Sequence, residues 1–456
     1  MKLSDYKKIY MSGIGGISMS GIAEIITSFG SSVSGSDGVS SKITDHLISK
    51  GINVIIGQKE ENITADIDLF VYSAAIKENN PEFIAAKRLG IKMIDRGEFL
   101  GELTKLYTNC IGVSGTHGKT TTSSMISCCF LSANTDPSIQ IGSLLKQIDG
   151  NFRVGNSDVF IIESCEYHDS YLHFQQKYSL ITNIDNDHLD YFGSLDNIKK
   201  SFRKYVGLIP KDGYLIINKD DSNAMEVTDS CKGNIVTYGI ESDATYVAKN
   251  VSINENGCGK YDVYTQEEFL GTVELSVPGI HNLSNSLGAF ALCHTFGLDV
   301  YSIIVGLKDY TGAARRMEYK GEFNGAAVYD DYGHHPTEIN AVEKAIHQTK
   351  YNKSWVVFEP HTFSRAYEHR KEFCEVVSKF DNVIVIDIYA AREVNTFGIS
   401  SQDLVEDMKK LNDNVWFISD FEEIKTFLSD KVSEGDIVLT LGAGNVTKLG
   451  DLLVNN

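Results

Sequence analysis

The stretch GTHGKTT, residues 115–121, sets Gly115, Gly118, Lys119 and Thr120 in the order a phosphate cradle needs. Glycines let backbone N–H groups converge on phosphate oxygens. Lys119 supplies a point charge for the outer phosphates, and Thr120 offers a hydroxyl to a magnesium ion. The loop is short, however. Two residues separate Gly115 from Gly118, where the common pattern has four, and Gly112 stands one position too far back.

Carboxylates follow at a useful place. Glu163 ends the apolar run DVFIIE, where a strand next to a phosphate loop would present it to magnesium, and Glu166 competes for the same role. In TNIDNDHLDYFG, Asp185, Asp187, His188 and Asp190 crowd six positions after another apolar run, and His188 is the candidate ligand for a second metal position. Asn282 and Asn285 are one helical turn apart and face one side, fit either for a helix cap or for a purine edge. Further on, DDYGHHP (330–336), EPHTFSR (359–365) and GAGN (442–445) bring His334, His361 and Arg365 to predicted strand ends, where open α/β sheets bind ligands. Near the start, Gly13, Gly15 and Gly16 nearly spell a dinucleotide fingerprint with Ser18 in the third glycine position, and Asp37 lies about where a ribose-binding acid would stand.

These groups need rigid elements behind them. KKIYMSGIGGISMSGIAEIITSFG reads as strand, glycine turn and helix, and SSVSGSD as a second strand ending on Asp37. The same rhythm implies βαβ units and a parallel sheet in the first segment. The second segment opens with the strand NCIGVSG before the phosphate loop and closes with the helix after VPGIHNLSNS. In the third, GAAVYDDYG, KSWVVFEP, NVIVIDI, NVWFIS and DIVLTLGAG alternate with amphipathic stretches, the pattern of a doubly wound sheet. Three α/β domains are expected: residues 1–105, 106–311 and 312–456.

Bulk properties narrow the partners. A net charge of −19 over 456 residues argues against nucleic acid, which needs a surplus of Lys and Arg. Small anions remain open to local cations and helix N-termini. The eight cysteines, at 110, 128, 129, 165, 231, 258, 293 and 374, form no CxxC pair and read as reduced, buried thiols of a cytoplasmic protein. The first residues hold no apolar signal core, and no run has membrane-span length.

GIGGISMSG, GTHGKTTT, TNIDNDHLDYFG, GIHNLSN, GAARRMEY and DDYGHHPTE, in this order, resemble the Mur ligase family from about residue 9 to the end. In that family the shortened phosphate loop is normal. The resemblance implies an N-terminal Rossmann-like domain for a UDP-sugar, a central P-loop ATPase-like domain and a C-terminal Rossmann-like domain for an amino acid. It implies ATP and Mg2+ as cofactors, UDP-N-acetylmuramate and L-alanine as substrates, and a monomer or homodimer. It assigns Gly13, Gly15, Gly16, Asp37 and Ser73 to the UDP-sugar. ATP falls to Gly115, Thr116, His117, Gly118, Lys119, Thr120, Thr121, Asn282, Asn285, Arg316 and Asp331. Magnesium falls to Thr120, Glu163 and His188, and the amino acid to His334, His361 and Arg365. Lys119, Glu163, His188 and His334 carry the catalytic roles. ESCEY departs from the more acidic EADES that many members carry, which leaves a role for Cys165 or Tyr167 open. Some relatives use a carbamylated lysine near the metals; here Lys199, Lys200 and Arg203 lie nearby.

The expected chemistry is amide formation through an acyl phosphate, since a carboxylate is anionic and has no leaving group until phosphorylated. His334 is the candidate to orient or deprotonate the amine, and Arg365 the clamp for the amino acid's carboxylate. Domain closure is expected, to keep water from the activated acid. The alternatives are the same chemistry with a peptide as amine donor, a nucleotide-driven switch, and a dehydrogenase built on the first domain.

Overall fold

The computed structural model describes residues 5–73, 75–266, 268–391 and 393–455, apart from the side chain of Asp190. The chain forms two compact units. One comprises residues 1–247, 265–268 and 287–306, the other 248–264, 269–286 and 307–456.

The first unit holds two parallel-rich sheets. In one, the strands run in the order Asn53–Ile56, Ser32–Asp37, Lys8–Ser12, Leu69–Tyr72, Lys92–Asp95, all parallel. In the other, Asn109–Ser114 lies between Tyr178–Ile181 and Val159–Glu163, with parallel register Val113 to Glu163 and Ser114 to Ile181. Asn109–Ser114 and Tyr178–Ile181 are buried along nearly their whole length, as strands covered on two faces are. Their C-terminal ends therefore converge, and Ser114, Glu163 and Ile181 stand side by side where the loops emerge. Beyond Val159–Glu163 lies the hairpin Ser138–Leu145 with Gly150–Arg153, which the sequence reading did not anticipate. One apolar core includes Ile22, Phe99 and Leu103 together with Phe160, Phe174 and Phe202, so the first and second segments share it.

Helix Lys119–Ser132 starts at Gly118 and is buried almost throughout despite its Ser and Thr residues. Helix Leu195–Val206 is the opposite kind. Its buried Ile198, Phe202, Tyr205 and Val206 follow the helical period, and Ser194 caps it.

The second unit contains a six-stranded sheet in the order Glu318–Phe323, Ala326–Asp331, Ile437–Leu441, Ser354–Phe358, Asn382–Val385, Val415–Phe417. Only the first pair is antiparallel. That edge strand, EYKGEF, was not foreseen, because its polar alternation reads as a loop. Ser354–Phe358 and Ile437–Leu441 are wholly buried, with apolar cores on both faces. The ends of Ala326–Asp331, Ile437–Leu441 and Ser354–Phe358 are adjacent, which brings DDYGHHP, GAGN and EPHTFSR to one edge. Strands Tyr246–Ile253, Cys258–Thr265 and Glu268–Pro278 are neighbours in a meander. Among the described residues, no helix is long and apolar enough to cross a membrane.

Candidate active site

The loop 115–121 is held from one side by the segment after strand Tyr178–Ile181. Thr182 Oγ1 donates to the carbonyl of His117 at 2.6 Å, and Asn183 Oδ1 accepts from the His117 amide at 2.9 Å. Thr116 Oγ1 accepts from the Asp185 amide at 2.9 Å. Gly115 has φ +128°, and a Cβ there would fall 2.1 Å from Thr182 Oγ1. Gly118 has φ +83° and supplies no side-chain cap, so the first amides of helix Lys119–Ser132 are left for a ligand. Thr121 is buried in the first turn.

Thr120 Oγ1 donates to Glu163 Oε2 at 2.8 Å, and the same oxygen accepts from the Gly142 amide at 2.9 Å. A Cβ on Gly142 would come 2.6 Å from that carboxylate oxygen and 2.8 Å from Thr120 Oγ1, so the glycine keeps the space beside the pair open. Among the described residues, no group of three or more His, Cys, Asp or Glu side chains could hold a metal ion. The hydroxyl and carboxylate pair nevertheless fits Mg2+, which takes one or two protein oxygens and the rest from phosphate and water.

Lys119 Nζ donates to the carbonyls of Gly115 at 2.6 Å and Thr116 at 3.0 Å, and to both oxygens of Glu166 at 3.1 and 3.0 Å. Burial pulls its pKa down, but the charges of Glu166, Cys165 and Glu163 outweigh that, and the ammonium is held above its ordinary value. Glu166 thus lies on the lysine, and Glu163 on the threonine. His188, in a left-handed conformation at φ 53°, stands 4.0 Å from Glu166 and 3.8 Å from Asp187. The Tyr167 ring lies against it at 4.5 Å.

Lys199 pairs with Glu226 at 3.0 Å, Lys200 bonds Asn197, and Arg203 donates to the carbonyl of Glu226. The pairing of Lys199 fits an ammonium, and a carbamate there would face a carboxylate instead. Cys165 is exposed, and Cys231 and Cys258 are half-buried, so the expectation that all eight thiols are buried is corrected at these three. Each lies in or next to a loop, where packing is thinner.

In the same unit the glycine turn is assembled as the sequence implied. Asp37 Oδ2 accepts from the Gly15 amide at 2.9 Å, and the Gly16 amide bonds the carbonyl of Gly13 at 3.2 Å. A Cβ on Gly13 would meet Ser73 Oγ at 2.9 Å. Beneath the turn lies a residue the sequence reading passed over. Glu82, wholly buried, accepts from Tyr10 Oη at 2.7 Å, Ser12 Oγ at 2.5 Å, Ser36 Oγ at 2.6 Å and Asn62 Nδ2 at 2.7 Å. Its only signal was the Asn-Pro-Glu start of helix Pro81–Arg88. Gln140 Nε2 donates to Ser18 Oγ at 2.7 Å, joining the turn's helix to the hairpin whose Gly142 serves Glu163.

The second unit carries the remaining candidates. The His334 and His361 rings are 5.4 Å apart, and Arg365 Nη1 donates to His361 Nδ1 at 3.2 Å. Burial, then the charges of His334 and Arg365, lower the His361 pKa to about 4, so the imidazole is neutral and accepts. Tyr389 stacks on its far side at 5.6 Å. His334 is tied to the carbonyl of Tyr332 and to Glu338. Thr362, between His361 and Arg365 in sequence, has φ 62° and ψ 146°.

Asp331 accepts from the amides of Met317 at 2.8 Å and Gly333 at 2.7 Å, and burial raises its pKa to about 6. Arg316 lies over the Tyr332 ring and 3.9 Å from Glu338. Its neighbour Arg315 binds the carbonyls of Gly442 and Ala443 and pairs with Asp330 at 3.3 Å. The two asparagines do share a helix face: Asn282 Oδ1 accepts from Asn285 Nδ2 at 3.2 Å, and Asn282 Nδ2 binds the carbonyl of Pro278. The residues expected on ATP are thus divided, with 115–121 in the first unit and Asn282, Asn285, Arg316 and Asp331 in the second.

Three family models cover most of the chain: Mur ligase family, catalytic domain, over residues 8–108; Mur ligase middle domain over 113–293; and Mur ligase, glutamate ligase domain, over 315–444. A UDP-N-acetylmuramate–L-alanine ligase of Agathobacter rectalis is 46% identical over 98% of this chain and 97% of its own length. One of Acetivibrio thermocellus is 44% identical over 99% and 96%. Among solved structures, the UDP-N-acetylmuramate–alanine ligase of Thermotoga maritima matches with TM-score 0.81 and 26% identity over 98% of both chains. Matched along its length by these models and relatives, this three-domain α/β chain belongs to the Mur ligase family.

Proposed function

We propose that this chain joins L-alanine to the lactyl carboxylate of UDP-N-acetylmuramate at the expense of ATP, a step in building peptidoglycan precursors. The observation that carries the phosphoryl half is the pairing of Thr120 with Glu163 at the mouth of a loop whose lysine is already positioned. The choice of substrates rests on the relatives, whose names specify both.

Phosphoryl transfer asks for positioning and charge neutralisation. The amides after Gly118 and the Lys119 ammonium would take the phosphate oxygens. Thr120, Glu163 and His188 would hold Mg2+, which supplies charge neutralisation on the phosphates when bound. The product is an acyl phosphate on the sugar's carboxylate, with ADP as leaving group. Alanine's neutral amine then attacks the acyl carbon, and inorganic phosphate leaves from the tetrahedral intermediate.

His334 is the group to orient that amine or take its proton. Arg365, already fixed against the neutral His361, would grip alanine's carboxylate with a planar fork. The turn Gly13–Gly16 with Asp37 and Ser73 would hold the UDP end, backed by Glu82. Asn282, Asn285, Arg316 and Asp331 would take the rest of the nucleotide. A cytoplasmic setting fits these soluble substrates, and the domain limits proposed are 105/106 and 311/312.

Phosphate release measured with UDP-N-acetylmuramate, ATP and a panel of amino acids and a tripeptide tests this reading. Release should require the sugar nucleotide and be fastest with L-alanine. ATP turnover without any amine, or a preference for the peptide, overturns it.

A further inference from the structure

An ammonium has three N–H donors. In this chain those of Lys119 are met by three acceptor groups: the Gly115 carbonyl, the Thr116 carbonyl and the Glu166 carboxylate. None is left for a phosphate oxygen. The two carbonyls belong to the loop itself and cannot leave without unmaking it. The carboxylate can.

Glu166 is only 2% exposed, so it is an anion fixed in the space where the outer phosphates would be neutralised. It is not on Thr120, which is occupied by Glu163. Its nearest other cation-capable neighbour is His188, with Nε2 4.0 Å from Oε1. The backbone downstream is unusual. His168 and Asp169 both have φ 54°, and Asp169 is fastened by Ser201 and by Tyr191 Oη. The segment carrying Glu166 is thus anchored at its far end.

We propose that Glu166 is a resident competitor for the phosphate-binding lysine: it holds Lys119 in place in the absence of nucleotide and must be displaced for phosphate to bind. This rests on reading residues 115–121 as a phosphate cradle. Glu166 is a positioning residue here, acting through Lys119, and not a ligand for magnesium. Its displacement charges part of the binding free energy of every nucleotide, product ADP included, so it weakens product retention as well as substrate binding.

The two roles predict opposite signs. If Glu166 competes, Glu166→Gln keeps the shape and removes the charge, and ADP should bind about tenfold or more tightly, some 1.4 kcal/mol per factor of ten. The gain should appear both with magnesium and in its absence, with EDTA present. If Glu166 ligates magnesium, the same change weakens ADP binding, and only when magnesium is present.

Calorimetric titration of the full chain with ADP, in both buffers, decides between them. Glu166→Ala is the second variant, expected to tighten ADP as well, so that either folded variant gives the answer. Turnover supplies another reading: with slower ADP release, kcat should fall while the KM for ATP falls too, a split that a merely misfolded site would not give. Unchanged or weaker ADP affinity in a folded variant, in either buffer, overturns the proposal. Failure of the unaltered chain to bind ADP at all would instead remove the phosphate-cradle reading beneath it.

Discussion

In the loop 115–121 the positive-φ backbone falls on Gly115 and Gly118, whereas around His334 and His361 it falls on Arg315, Met317 and Thr362 as well as on Gly442. On the function proposed above, the loop would work through its amides. Side chains there would fill the space that phosphate needs, and glycine adopts positive φ without penalty. The sheet edge of the second unit would work through side chains instead. Arg315 keeps its guanidinium on Gly442, Ala443 and Asp330, and Thr362 Oγ1 accepts from the Arg365 amide. Strain of about 1–3 kcal/mol at such a residue is tolerated because the side chain is wanted. The two regions thus meet the same backbone demand differently, the loop with glycine alone and the sheet edge largely with residues that keep their side chains.

The largest test falls on the loop. Lys119→Met should lower turnover by about 10³ or more. It should also destabilise the fold by about 3 kcal/mol, because Glu166 is left as a buried, unpaired anion. On sequence alone the lysine would be expected to face only ligand and to leave folding unchanged; its pairing corrects that. Lys119→Met with Glu166→Gln should recover the stability and none of the turnover. A stable single variant would show that the pair is not tightly coupled.

Gly115→Ala comes next. With a Cβ 2.1 Å from Thr182 Oγ1 and φ at +128°, urea unfolding should register a loss of about 3 kcal/mol, and ADP binding should vanish. Normal ADP affinity there would mean that the loop's shape is not what binds.

On the other side of the comparison, Arg365→Ala should weaken apparent affinity for alanine about ten- to a hundredfold. The acyl phosphate should still form, as isotope scrambling in ATP without alanine would show. Loss of scrambling with alanine affinity intact would move Arg365 to the phosphoryl step.

The second unit also carries an acid-sensitive group of residues. His361 and His281 have folded pKa values lowered to about 4 from an ordinary 6.5, in both cases chiefly by burial. Their stabilising contribution is complete above pH 6.5 and is lost as pH falls towards 4, because the unfolded chain binds protons that the folded chain refuses. Asp331, raised to about 6, works the other way between pH 6 and 3.8. His361→Asn should therefore lose less stability than the unaltered chain between pH 6.5 and 4. Equal slopes would mean the imidazole is not held neutral.

The smallest effect expected is that of Thr362→Gly. Strain relief of about 1 kcal/mol is offset by loss of the weak cap in which Thr362 Oγ1 accepts from the Arg365 amide at 3.4 Å. Stability should change by less than about 1 kcal/mol, while the alanine KM rises as Arg365 loosens. A large stability gain would show that Thr362 is strained for no local return.

Much of this was legible because the loop's glycines, lysine and threonine fall within six positions, and because buried parallel strands read as apolar runs. The strand-end positions of Glu163, His334 and His361 followed from that. Glu166 was legible only as a rival metal ligand, since its contact with Lys119 spans 47 positions. Glu82 was invisible for a similar reason: its four donors come from three separate stretches. The hairpin Ser138–Leu145 with Gly150–Arg153 and the edge strand Glu318–Phe323 lacked the apolar signature that marked the central strands. Arg315 and Arg316 are adjacent in sequence and both lie over Tyr332, and only the fold separates the one that braces GAGN from the one that reaches Glu338.

The close approach of helix Ile17–Ser28 to the hairpin bears on how the chain can be taken apart or recombined. A Cβ on Gly21 would come 2.8 Å from the Phe152 ring, and one on Gly101 would come 2.5 Å from the carbonyl of His173. Ser18 and Gln140 add a polar stitch across the same boundary. A fragment ending at residue 105 would bare the faces around Ile22, Phe99 and Leu103, and should precipitate when expressed alone. Chimeras that exchange the first segment between relatives should fold only when small residues remain at positions 21 and 101. The smallest exchangeable piece is therefore longer than residues 1–105.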